Sequence, residues 1–213
     1  MSNRRLAHRK SGEPDLIGAI ILAAGKSERM GHAKALLKIG ERTFLEMILD
    51  SISKSVIDCT VVVLGHEREA IERSLPIPMA VFNPDYEQGM TTSFQAGIRA
   101  LPASVSGAFL FLVDHPAISS ETVNTLAMNF QPERILLPTF RSRRGHPVLF
   151  SKAVLDEILA LPATSGANTV VWKDPGRVVE IPVEDPGILA DIDTPEQYRQ
   201  FLIGQSNSSV VDR

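Results

Sequence analysis

Short stretches that are apolar throughout alternate along this chain with longer ones in which apolar side chains recur every third or fourth position. Residues 17–22 form a continuous apolar run, the pattern of a strand buried on both faces, and the run empties directly into Ala23, Ala24 and Gly25. In residues 43–52, Phe44, Leu45, Ile48, Leu49 and Ile52 fall on one helical face that can lie on a sheet. Residues 59–64, rich in valine, predict a second strand, and the charged stretch 67–74 a second helix. The alternation continues with strands at 78–82, 108–113, 134–137, 147–150 and 178–183. Helices are expected at 91–101, from a cap at Ser119 or Ser120 through Phe130, at 152–161, at 167–173 and from Thr194-Pro195-Glu196 onward. Strands separated by helical patterns predict an α/β fold: a single three-layer, Rossmann-like domain whose mainly parallel sheet is covered by helices on both faces. Ligands of such a fold collect at the carboxyl ends of strands. The domain is expected to span residues 15–203, between a flexible basic tail at 1–14 and a flexible polar tail at 204–213.

Composition narrows the functional classes. With 44% hydrophobic and 22% charged residues in 213, the chain is an ordinary globular one, and its formal charge of -3 sets up no global field for nucleic acid or anionic lipid. Any anionic ligand must therefore be met by locally placed Lys and Arg. The single Cys59 rules out an intrachain disulfide framework and a cysteine-rich zinc site, and in its apolar run it reads as a buried small residue. No apolar stretch approaches the ~20 residues that span a bilayer, and the first residues lack the apolar centre of a signal peptide, so the expected location is the cytoplasm, without membrane attachment. Arg4, Arg5, His8, Arg9 and Lys10 read as a solvated tail in preference to a nucleic-acid arm.

Chemistry concentrates at the predicted strand ends. In Leu22-Ala23-Ala24-Gly25-Lys26-Ser27-Glu28-Arg29-Met30-Gly31, the glycines allow a tight turn whose backbone N–H groups face an anion, Arg29 offers a planar fork of donors, and Lys34 a compact charge. The loop is neither a Walker A loop nor a dinucleotide fingerprint, because the second glycine and lysine stand at the wrong spacing. Taken alone, it reads equally as an anion cradle or as an ordinary strand-to-helix turn. Asp114 follows an apolar strand and should emerge at its end, where magnesium bridged to substrate phosphates needs one or two carboxylates. Asp191 and Asp193 alternate with Ile192, so in extended chain they share a face; Asp193 reads equally well as a helix cap before Thr194-Pro195. Gly89 precedes Met90-Thr91-Thr92-Ser93, a helix start whose N–H groups and hydroxyls can serve a ribose, base or phosphate, or simply cap the helix.

These strings together resemble the MobA-like nucleotidyltransferases. Leu22-Ala23-Ala24-Gly25 with Ser27, Arg29-Met30-Gly31, Lys34 and Leu36-Leu37 is similar to the opening signature of that family. The stretch from Asn83-Pro84-Asp85 to Ser93 resembles its second motif, Gly145-His146-Pro147-Val148-Leu149-Phe150 its third, and Asp191-Ile192-Asp193-Thr194-Pro195-Glu196 its closing one. The four lie in order across residues 17–202, and the likeness is greatest to the branch that contains molybdenum cofactor cytidylyltransferase. The resemblance implies transfer of CMP from CTP to a phosphorylated acceptor, preferably molybdopterin, with Mg²⁺ (or Mn²⁺) as cofactor and pyrophosphate as product. It implies Arg29, Lys34 and Asp114 as catalytic residues, and Asp114, Asp193 and Asp191 as metal ligands. Nucleotide binding falls to Leu22, Ala23, Ala24, Gly25, Lys26, Ser27, Gly31, Gly89, Thr92 and Ser93, and acceptor binding to His115, Arg144, Gly145 and His146. His115 departs from the Gln or Met common in the family at that position. Two other outcomes stay open at this stage: transfer to a sugar or alditol phosphate, and a non-catalytic maturation factor that delivers cofactor to a client molybdoenzyme.

Overall fold

The computed structural model describes residues 15–211, with side chains described to residue 204. The basic residues of the predicted N-terminal tail lie outside the described residues. Strand β1 (Leu16–Ala23) occupies the centre of an eight-stranded sheet. It pairs in parallel with β4 (Cys59–Leu64) on one side and with β6 (Val105–Leu112) on the other. Beyond β4 lies β5 (Ala80–Phe82). Beyond β6 come β9 (Val148–Ser151), β7 (Ile135–Phe140) and β10 (Val178–Pro182), with the short β8 (Arg143–Arg144) folded onto the end of β7. Strand β9 runs antiparallel to both neighbours, while β7 and β10 pair in parallel. A small hairpin of β2 (Lys38–Ile39) and β3 (Arg42–Thr43) stands apart from the main sheet.

Alternation within β1 sends Ile20 and Leu22 to one face and Ile17, Ala19, Ile21 and Ala23 to the other. Each face has its own helical cover, so the strand is apolar at almost every position. The first face carries α3 (Met90–Ala100), α5 (Lys152–Leu159) and α6 (Asn168–Lys173); the second carries α1 (Phe44–Ser53), α2 (Arg68–Ser74) and α4 (Ser120–Met128). Gly97 lets α3 settle closely on the sheet, because a Cβ there would stand 2.4 Å from Ile20 Cγ2. Helix α1 starts at a capping box in which Thr43 accepts from the Glu46 N–H and Glu46 accepts from the Thr43 N–H. Of the two serines that compete to cap α4, Ser119 does so, accepting from the Thr122 N–H. The expected α/β class, the three layers and the mainly parallel sheet are all present. The last helix, α7 (Pro195–Val211), carries its backbone through the polar stretch after Gly204 and is pinned near its start by Tyr198, whose ring meets Phe44 edge-on and whose hydroxyl donates to the Lys38 carbonyl. Among the described residues no helix is long and apolar enough to cross a membrane.

Candidate active site

The chain order reverses between β1 and β6, since β4 and β5 lie to one side and all later strands to the other. At that switch point the carboxyl ends of two neighbouring strands leave room for a ligand. A cleft of about 430 Å³ opens there, lined by residues 22–29, by Ala33, Lys34 and Ala35, and by Asp114 and Asp193. The loop after β1 turns back on itself at Ser27, whose carbonyl accepts from the N–H groups of Met30 and Gly31, and both Ser27 and Gly31 take positive φ. Ser27 Oγ accepts from the Lys34 N–H, which ties the loop to the short helical turn carrying Lys34. Gly25 lines the cleft, and a Cβ there would meet no protein atom within 4 Å.

Lys34 is the pivot of the floor. Its Nζ donates to Asp114 Oδ2 at 3.1 Å and also to Asp193 Oδ1. Arg29 Nη2 reaches the other Asp193 oxygen at 2.8 Å. Burial alone would lower the Lys34 ammonium, but its bonds to Asp193 and Asp114 outweigh burial and hold it above the usual lysine value. Lys34 in turn holds the Asp193 carboxyl below its usual range, with Arg29 adding in the same direction. Both cations expected to meet a triphosphate are thus already oriented, with one carboxylate between them.

Asp191 faces elsewhere. Although Asp191 and Asp193 were expected to share a face, the segment is not a strand, and the Ile192 N–H, donating to the Asp114 carbonyl at 3.0 Å, sits between them. Asp191 groups instead with Asp114 and His115, whose ligand atoms all lie within 4.8 Å of one another. Burial raises the Asp191 carboxyl, and Asp114 and Asp193 add to that rise. Asp114 Oδ1 is buried with no hydrogen-bond partner, as is His115 Nδ1. A buried carboxylate oxygen without a partner, next to a second carboxylate, fits a divalent cation, so Asp114 with Asp191 are the residues that would hold one. His146 stacks behind His115 at 5.0 Å between ring centroids, and burial, helped by His115, pulls its imidazole down to about 4.

Residues 19–178 match the MobA-like NTP transferase domain. The molybdenum cofactor cytidylyltransferase of Escherichia coli K12 is 30% identical over 190 residues, covering 85% of this chain and 93% of that protein. The purine catabolism protein PucB of Bacillus subtilis 168 is also 30% identical, over 87% of this chain and 95% of its own length. Among solved structures, Rv0371c of Mycobacterium tuberculosis H37Rv superposes with a TM-score of 0.78 at 26% identity, covering 88% of this chain and 98% of that one. The chain belongs to the MobA-like NTP transferase family. It is accordingly a nucleotidyltransferase, whose family pairs a nucleoside triphosphate with a phosphorylated acceptor.

Within this MobA-like site the remaining expected residues divide into those that face the cleft and those that build it. Ser93 lines the cleft, but its hydroxyl accepts from Asn83 Nδ2 at 2.9 Å. Thr92 also accepts from Asn83, at 3.0 Å, and its hydroxyl lies 2.9 Å from the carbonyls of Asp85 and Gly89, while Thr91 donates to the Ser165 carbonyl. Of the two uses open to the start of α3, the Thr91 and Thr92 hydroxyls serve contacts within the protein, while Ser93 lines the cleft; no side-chain hydrogen bond caps that helix at Gly89. Lys26 is paired with Glu87 at 2.7 Å across the rim. Arg144 is turned to Glu180 on β10, at 2.6 Å and 2.9 Å, and does not line the cleft. Gly145 is a packing residue, since a Cβ would lie 2.3 Å from the Ile188 carbonyl oxygen. Sequence reasoning passed over Glu67, Ile71, Tyr86 and Met90 as cleft residues. Tyr86 and Met90 stood inside a quoted motif and were the legible ones; Glu67 and Ile71 carry no local signature.

Proposed function

We propose that this chain moves CMP from CTP to the phosphate of a molybdopterin-type cofactor and releases pyrophosphate. The observation that carries the transfer chemistry is the meeting of Lys34, Arg29, Asp193 and Asp114 on one cleft floor, with Asp191 grouped beside Asp114. Support for CTP is the Leu22-Ala23-Ala24-Gly25 form of the loop, and support for the acceptor is the similarity to the E. coli cytidylyltransferase.

A phosphate monoester is largely dianionic at neutral pH, its second pKa lying near ~6, so an acceptor oxygen can attack without a strong base in the protein. The attack forms a bond to the α-phosphorus as the bond to the pyrophosphate oxygen breaks, and the leaving group departs carrying the electron pair. Catalysis then rests on alignment and on charge. Lys34, its side chain only 11% exposed and fixed between two carboxylates, is a stationary positive charge. Arg29 is 69% exposed, and exposed pairs contribute only about 0–1 kcal/mol, so it can leave Asp193 for incoming phosphate oxygens at little cost. Mg²⁺ or Mn²⁺ bound by Asp114 and Asp191 would supply charge neutralisation on the triphosphate. The N–H groups of the loop from Gly25 to Arg29 supply the rest of the cradle.

Pyrophosphate release measured over a panel of the four ribonucleoside triphosphates, with molybdenum-loaded molybdopterin and with sugar and alditol phosphates, tests the assignment. CTP with the pterin should give the highest kcat/KM. Equal or greater turnover with GTP overturns the donor, and faster transfer to a sugar phosphate overturns the acceptor.

A further inference from the structure

We propose that His115 is a direct ligand of the catalytic cation, making this a mixed carboxylate–imidazole site that selects Mn²⁺ and related first-row ions over Mg²⁺. The inference rests on the nucleotidyl-transfer reading for the purpose of the cation, not for its binding. Three ligand atoms from Asp114, His115 and Asp191 converge within 4.8 Å. His115 is 7% exposed, and its Nδ1 has no hydrogen-bond partner although it is buried. Its Nε2 stands 4.0 Å from Asp114 Oδ1, which is itself buried and unpartnered. A buried carboxylate oxygen left without a partner is costly in a folded protein unless a cation meets it, and His115 Nε2 is the ring nitrogen turned toward it.

The backbone gives the ring a reason to stay. His115 N–H donates to the Leu112 carbonyl, fixing the turn after β6 that carries both Asp114 and the ring. A site of oxygens alone suits Mg²⁺, whereas an added imidazole raises affinity along the first-row series and leaves Mg²⁺ little changed. His146 packs against the same ring and is the natural control for a nitrogen that is near the cation without binding it.

The experiment uses the full chain without nucleotide, so its outcome does not depend on which donor or acceptor the enzyme takes. Mn²⁺ is titrated and followed by electron paramagnetic resonance, and Mg²⁺ is added as competitor. The wild-type protein should bind Mn²⁺ at least about 10-fold more tightly than Mg²⁺, and pulsed spectra of the bound ion should show ¹⁴N coupling from a directly bound imidazole. His115→Gln should lose that coupling and weaken Mn²⁺ by about 10-fold or more while moving Mg²⁺ less than about 3-fold. His146→Gln should keep the coupling. Wild-type spectra without nitrogen coupling, coupling that persists in His115→Gln, or equal affinity for Mn²⁺ and Mg²⁺ would each overturn the assignment. The wild-type spectrum decides the matter even if the variant fails to fold. Failure of the CTP panel with nitrogen coupling intact would strike the function alone.

Discussion

The cationic wall of the cleft is built from one uninterrupted segment, Gly25 to Lys34, whereas the opposite wall presents Asp114 after β6 and Asp193 before α7, backed by His115, His146 and Asp191. Lys34 and Asp193 bond across 159 positions of sequence. The first wall is shaped by its own turn at Ser27; the second exists only while the Ile192 N–H holds Asp114 and the His146 N–H holds the Ile188 carbonyl. A ligand that needs both walls therefore reports on the whole fold, while one that needs only the loop does not. The division also separates labour: the local wall carries Arg29 and Lys34, and the assembled wall presents the carboxylates Asp114 and Asp193.

The largest effect should come from the one side chain that joins the walls. Lys34→Met removes the charge and strands two carboxylates, and kcat for pyrophosphate release should fall by about 10²–10³-fold; Asp114→Asn should lose a similar amount. Turnover within about 3-fold of wild type in either variant would break the claim that charge on this floor drives the transfer.

Acid should act on the assembled wall. The unfolded chain takes up a proton at a histidine near 6.5, but folded His146 does not until about 4, so the unfolded state binds more protons between these values and stability falls as pH drops through that window. The full effect is roughly 3 kcal/mol, and burial shifts His115 in the same direction. Denaturant unfolding of the metal-free protein from pH 7 to pH 4 should show this slope, and His146→Gln should flatten it.

Two glycines sharpen the contrast further. Gly145→Ala puts a methyl group 2.3 Å from the Ile188 carbonyl oxygen and should cost about 1–3 kcal/mol in urea unfolding. Gly25→Ala meets open space, so its unfolding midpoint should stay near wild type while the KM for the triphosphate rises. If both behaved alike, the walls would not be built differently. The smallest effect is expected at Arg144→Ala: its guanidinium is committed to Glu180 at the far edge of the sheet, so kcat/KM should change by less than about 3-fold.

Much of the fold was legible because burial on two faces leaves a plain trace. Strand β4 coincides with its apolar run bound for bound, Cys59–Leu64, and β1 differs from its predicted span only at the ends. Strand β6 begins earlier than its apolar run because Ser106 and Gly107 interrupt the pattern without ending the ladder. Strand β7 continues through Pro138, a residue that lies beyond the rungs shared with β9. The β2–β3 hairpin went unseen because strands of two residues are too short to show alternation.

By itself the sequence determined which segments are strands and helices and that the sheet is covered on both faces, and it set Gly25, Arg29, Gly31 and Lys34 close together after β1, since each depends on neighbours within a few positions. Only the tertiary structure decided the direction of β9, because an apolar run looks the same read along either direction of the strand. It also separated Asp193, drawn to Lys34 and Arg29, from Asp191, grouped with Asp114 and His115. Spacing in a chain fixes which side chains can share a face, but the partners that meet those side chains come from distant strands and turns, 164 positions away for Arg29 and Asp193.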